Sequence, residues 1–147
     1  MFHKMTACCL LLLSCCLPLA ATAATPEEAQ AMLDEAVAYY RENGKEAAFA
    51  EFSNTEGQFR RGELYIFVYD GMGTVVAHGG DPSLVGSRRL DRQDANGKFF
   101  AREIMSIQAP GGSVDYFWMN HETGEVQQKT SYILLVDEYR FACGIYR

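Results

Sequence analysis

The chain has 147 residues, 48% of them apolar and 22% charged, with a formal charge of −6. That length suits one domain with a real core and is too short for two independent ones, and the composition excludes intrinsic disorder. The acidic balance argues against nucleic acid or an anionic membrane surface as a partner, because both select a basic face.

Taken in chain order, residues 1–23 read as a secretory signal peptide. Lys4 lies in the opening stretch, Ala7–Ala20 is an apolar run, and Ala21-Thr22-Ala23 has the small-x-small cleavage pattern. A single domain over residues 24–147 is then expected in the periplasm or secreted. The apolar run is shorter than the roughly 20 residues that span a bilayer, so no membrane insertion is expected after cleavage. Leu12-Leu13-Ser14-Cys15 loosely resembles a lipoprotein processing site, but leucine in the middle of that pattern is atypical, and lipid anchoring at Cys15 is the less favoured expectation. Cys8, Cys9, Cys15 and Cys16 would leave with the signal. Cys143 then has no disulfide partner and reads as a small buried hydrophobe.

Thr25-Pro26-Glu27-Glu28 is a helix start, with Thr as N-cap, Pro at the first helical position and Glu28 closing a capping box. Ala29, Met32, Leu33, Ala36, Val37 and Tyr40 recur at helical spacing until Asn43-Gly44. A shorter helix is predicted over Lys45–Phe52, then a polar loop from Ser53 to Gly62. Glu63–Tyr69 is a strand with Leu64, Ile66 and Val68 on one face, and Asp70-Gly71-Met72-Gly73 turns it into a partner strand ending at His78. One helical turn is predicted near Pro82–Gly86, loop from Ser87 to Gly97, and a helix over Lys98–Ala109 stopped by Pro110-Gly111-Gly112. Three strands joined by His121-Glu122-Thr123-Gly124 and by Asp137-Glu138 close the chain. Short turns join antiparallel strands only, so the pattern predicts an α+β domain, an antiparallel sheet with helices on one face.

The segments YIFVYDGMGTVVAH, DPSLVGSRRLDRQDANGKFFAREIM, GGSVDYFWMNHETGEVQQKTSY and the closing GIY resemble the single Cache domains of type 2, over about Glu63 to Tyr146. These are extracytoplasmic sensor modules of bacterial chemoreceptors and histidine kinases. The resemblance implies a PAS-like five-stranded antiparallel sheet with the long N-terminal helix packed on it. It also implies a pocket between the sheet and the His78–Phe100 region, in a family that typically binds small organic acids. On this pattern His78, Arg88, Phe99, Tyr116, Trp118, Lys129 and Tyr132 are the expected ligand-binding residues. The ligand would be a small carboxylate, with a membrane receptor or kinase as partner. The chain ends after the last strand, so a free-standing exported member is expected.

The residues themselves set one condition on that site. A carboxylate needs a fixed cation or several donors to offset its desolvation, and Lys129 supplies one. Tyr132 lies three positions on, so a regular strand sends it to the opposite face, and both meet one ligand only across a bulge. Val114, Tyr116, Trp118 and Asn120 share one face of their strand; plain core packing is the alternative reading of the two aromatics. Arg88 and Arg89 are the basic pair of the loop above.

Asp94-x-Asn96-Gly97 with Glu103 matches part of a calcium loop, but Arg92 occupies the first ligand position, so the segment reads as a tight turn and no metal or cofactor is expected. No nucleophile elbow, Cys-x-x-Cys pair or glycine-rich phosphate loop is present, and no enzyme activity is expected. The competing reading is an exported interaction module with the same fold and no working pocket.

Overall fold

In the computed structural model, which describes residues 22–147, the expected first helix opens on a complete capping box. Glu28 N–H donates to Thr25 Oγ1 (3.2 Å) and Thr25 N–H to Glu28 Oε2 (2.8 Å). All of the expected leader but Thr22 and Ala23, including Cys15 and the three other early cysteines, lies outside the described residues. Helix α1 (Pro26–Asn43) buries Ala29, Met32, Leu33 and Ala36, the predicted apolar stripe. Gly44 at φ +80° ends it, and α2 (Lys45–Phe52) follows directly, burying Ala48 and Phe52. Thr25→Ala removes one half of the box and leaves a helix-end N–H without its partner. It is expected to cost about 1 kcal/mol, read as a lower midpoint with unchanged slope in urea denaturation.

The strands are β1 (Arg60–Arg61), β2 (Leu64–Tyr69), β3 (Val75–His78), β4 (Gly111–Asn120), β5 (Glu125–Val136) and β6 (Tyr139–Tyr146). All pair antiparallel, in the order β3-β2-β6-β5-β4. These are the five expected strands. β1, in the stretch read as loop, adds two residues against Leu64 and Tyr65.

Period two along each strand divides the side chains between two cores. Leu64, Ile66, Val68, Phe141, Cys143 and Ile145 face α1 and α2, where Phe52 and Phe59 meet edge to face. Cys143 is wholly buried there, its thiol 3.8 Å from Met32 Sδ, as a small hydrophobe. Tyr65, Phe67, Tyr69, Val114, Tyr116 and Ile133 point the other way. The third helix, α3 (Phe100–Ser106), packs on this second face with Phe100, Ala101 and Ile104, rather than beside α1 and α2 as expected. It also stops earlier than the predicted Ala109. Ile107 is already extended, and Pro110 disfavours helical geometry in the residue before it. Both faces are therefore covered, which is why every residue of β2 is buried.

Candidate functional site

The second face of the sheet, beneath the 79–99 segment and α3, carries the polar groups of interest. The cover is held by its own turn chemistry. Asp94 Oδ1 accepts from the N–H groups of Asn96 and Lys98, and Oδ2 accepts from Phe117 N–H of β4 at 2.9 Å. The partial calcium-loop pattern is thus a tight turn pinned to the sheet edge, as its residues suggested. Residues 86–89 run alongside β3, with Val75 N–H donating to Ser87 C=O and Arg89 N–H to Gly73 C=O.

That extended run decides which arginine turns inward, because adjacent residues of extended chain point to opposite sides. Arg88, the expected ligand residue, is exposed. Arg89 points in, with its guanidinium 5.8 Å from the centre of the Trp118 ring and its buried Nε–H without a protein acceptor. A similar one-residue shift affects the phenylalanine. Phe99 caps α3 and lies under the Arg102 guanidinium at 4.1 Å, while Phe100 stacks on Tyr116 at 4.5 Å with the rings 6° from parallel.

His78, Arg89, Phe100, Tyr116 and Trp118 line one cavity with Phe67, Tyr69, Val75 and Leu84. It holds only about 10 Å³, room for one water at most. Its surroundings are rich in donors. Asp81 N–H donates to His78 Nδ1 at 2.8 Å, which leaves the proton of the neutral ring on Nε2. Burial, reinforced by Lys129, His121, Arg89 and Arg60, pushes the imidazole well below its ordinary pKa. Among the described residues Trp118 Nε1–H, like Arg89 Nε–H, finds no acceptor. Tyr116 is different: its hydroxyl pairs with Ser131 Oγ at 2.9 Å, so its role here is that of a satisfied wall.

Lys129 sits one layer deeper, off the cavity wall but against the same Phe67 ring. It stands between Tyr116 of β4 and Tyr146 of β6 in the strand register. Its Nζ donates to Tyr65 Oη at 2.8 Å and lies 4.0 Å from the Tyr65 ring centre, 5.3 Å from Phe67 and 5.0 Å from Tyr146. No carboxylate among the described residues forms an ion pair with it. Burial lowers its pKa from 10.5 to about 7.

β5 shows no bulge between Lys129 and Tyr132; the pairing with both neighbours runs in unbroken register. Tyr132 consequently faces α1 and packs into the first core, away from the cavity. Of the expected residues, His78, Tyr116 and Trp118 meet at one cavity with Lys129 behind them, whereas Arg88, Phe99 and Tyr132 lie elsewhere. Arg89 was within reach of the sequence as one of the basic pair. Tyr65 was not, because nothing local distinguishes it from its neighbours in an aromatic strand.

Comparison with known proteins places this geometry. A family model described as Single Cache domain 2 matches residues 20–144. The sensor histidine kinase MctS of Rhizobium johnstonii is 32% identical over 81 residues, covering 54% of this chain and 18% of the kinase. The chain thus spans less than a fifth of that curated relative. A methyl-accepting chemotaxis protein from Vibrio parahaemolyticus superposes with a TM-score of 0.71 at 21% identity, covering 82% of this chain and 86% of that one. A periplasmic sensor domain of a chemotaxis protein does so at 0.62 with 22% identity, covering 82% and 88%. A Cache chemosensory domain, solved for its carboxylic acid recognition, gives 0.63 at 20% identity, covering 82% and 86%. At these identities the solved structures show a shared fold.

Proposed function

The chain belongs to the Single Cache domain 2 family, and from that premise we propose that it is a binding domain rather than an enzyme, one that captures a small carboxylate on the second face of its sheet. One observation carries the reading: the cavity and the layer beneath it present donors without acceptors. Among the described residues, Arg89 Nε–H and Trp118 Nε1–H are buried without a partner, and Lys129 has no counter-ion. Unpartnered buried donors are costly, and an anion entering the site satisfies several at once. The carboxylic acid recognised by the Cache chemosensory domain of the same fold is in keeping with that chemistry.

A cavity of about 10 Å³ holds no organic acid, so capture requires the 79–99 cover to move outward. Ligand then shifts the population between two arrangements of the cover, by no more than its differential affinity for them. A membrane receptor or kinase that recognises one arrangement completes the proposed signal. The exported location expected from residues 1–23 belongs to the same proposal. No helix of the described residues is long and apolar enough to cross a membrane.

Thermal-shift screening against two- to four-carbon carboxylates, amino acids and amines tests the reading. A carboxylate is expected to raise the melting temperature. Arg89→Ala is expected to weaken that acid at least tenfold, the loss of a charge-assisted contact of about 1.5–3 kcal/mol, while Arg88→Ala leaves affinity unchanged. Equal effects of the two variants would remove Arg89 from the site. The small size of the cavity also favours the competing reading, an interaction module whose pocket is filled by its own side chains. A flat screen together with ligand-independent capture of a membrane partner would select it.

A further inference from the structure

Lys129 combines three features that disfavour a charge in the empty pocket. It is 1% exposed, it lacks an anionic partner among the described residues, and its one hydrogen-bond acceptor there is a hydroxyl already engaged elsewhere. The Tyr65 and Tyr146 hydroxyls lie 3.4 Å apart, and Tyr146 donates to Met119 C=O at 2.7 Å. This chain of hydroxyls ends on a backbone carbonyl, not on a carboxylate.

The groups acting on Lys129 from the surrounding elements are mostly neutral or cationic. Arg60 of β1 opposes its charge, and the Lys129 charge in turn lowers the pKa of His78 of β3 and His121 of the β4–β5 turn. Tyr65 of β2, Tyr116 of β4 and the Cys143 thiol and Tyr146 of β6 are pushed upward by burial and stay neutral. Arg89 of the cover adds a further cation near His78. Glu63, before β2, is the carboxylate whose field favours the ammonium, and it accepts instead from the N–H groups of Ala24 and Tyr146.

We propose that carboxylate capture at this site is proton-coupled, with Lys129 held as the neutral amine in the empty pocket and converted to the ammonium as the anion enters. This deepens the carboxylate reading and rests on it. The balance is simple: R–NH2, one proton from solvent and R′–COO⁻ give the pair R–NH3⁺···⁻OOC–R′, with no electron transferred. The three aromatic rings around Nζ hold the new cation, and the ligand supplies the missing counter-ion. The lowered pKa of about 7 sets the pH range in which the uptake is visible.

The test is calorimetric titration of the whole chain with acetate, propionate and butyrate from pH 6 to 9, in buffers of low and high ionisation enthalpy. The expected result is uptake of close to one proton per ligand at pH 8.5 and little at pH 6, with affinity falling about tenfold per pH unit above pH 8. Lys129→Arg, a permanent cation, is expected to bind with flat pH dependence; its fold is checked by melting. Binding with equal affinity from pH 6 to 9 and buffer-independent heat overturns proton coupling and leaves the carboxylate reading intact. Proton uptake that persists in Lys129→Arg overturns the assignment to Lys129 and transfers it to His78. No heat with any of the three acids overturns the carboxylate reading and this proposal together.

Discussion

Lys129→Met is expected to abolish carboxylate binding and, unusually for a substitution at the centre of a sheet, to stabilise the domain. The lysine is wholly buried without a counter-ion, and burial draws its pKa from 10.5 to about 7. A base whose pKa is lower in the folded state binds fewer protons there than when unfolded. Stability therefore rises with pH between about 7 and 10.5, and the full penalty applies below pH 7. That penalty is on the order of 5 kcal/mol at pH 6. Methionine keeps the length and apolar volume of the stem but gives up the Tyr65 hydrogen bond, worth about 1 kcal/mol, and the cation–ring contacts. A net gain of about 2 kcal/mol at pH 6 is expected, in the range seen when buried charges are replaced by apolar groups. The gain should shrink by pH 9. Urea denaturation at pH 6, 7.5 and 9 gives the answer; a variant that is less stable at pH 6, or a difference that ignores pH, sinks the argument.

Gly144→Ala should act in the opposite direction and through the same lysine. Gly144 lies on β6 opposite Ser131, and the Lys129 stem crosses the strand there. A Cβ at 144 would sit 2.5 Å from Lys129 Cε, 2.5 Å from Ser131 Oγ and 2.9 Å from the Thr130 carbonyl oxygen. The lysine can retreat only into aromatic rings, and the carbonyl belongs to the neighbouring strand, so neither yields easily. The expected cost is about 3 kcal/mol, at the upper end of overpacking effects, together with at least a tenfold loss of carboxylate affinity as Nζ is displaced. Lys129→Ala removes the stem and should relieve part of the penalty. A coupling of at least about 1 kcal/mol in the double-mutant cycle is therefore expected, and strict additivity of the two substitutions would show that the lysine is not what the methyl group meets.

Much of the architecture is legible in the sequence because it rests on local chemistry. The Thr25 capping box, the apolar stripe of α1 and the alternation along β2 depend on neighbours within a few positions. The same holds for the family resemblance carried by β2–β3 and β4–β5. Strand periodicity also determined, correctly, that Lys129 and Tyr132 oppose each other unless a bulge intervenes.

Other features depend on partners distant in the chain. The side of the sheet that α3 covers is decided by Phe100 stacking on Tyr116, an attraction between rings that no local pattern encodes. The choice of Arg89 over Arg88 follows from how residues 86–89 pair with β3. Lys129 became more than a strand lysine only when Tyr65, Phe67 and Tyr146 closed around it over the groove that Gly144 leaves open. The sequence by itself determined the main elements, though not β1 or the end of α3, together with the alternation of faces and the candidate cations. Only the tertiary structure decided which of those cations are buried without a counter-ion, because burial is a property of the packed surroundings and charge alone is a property of the residue.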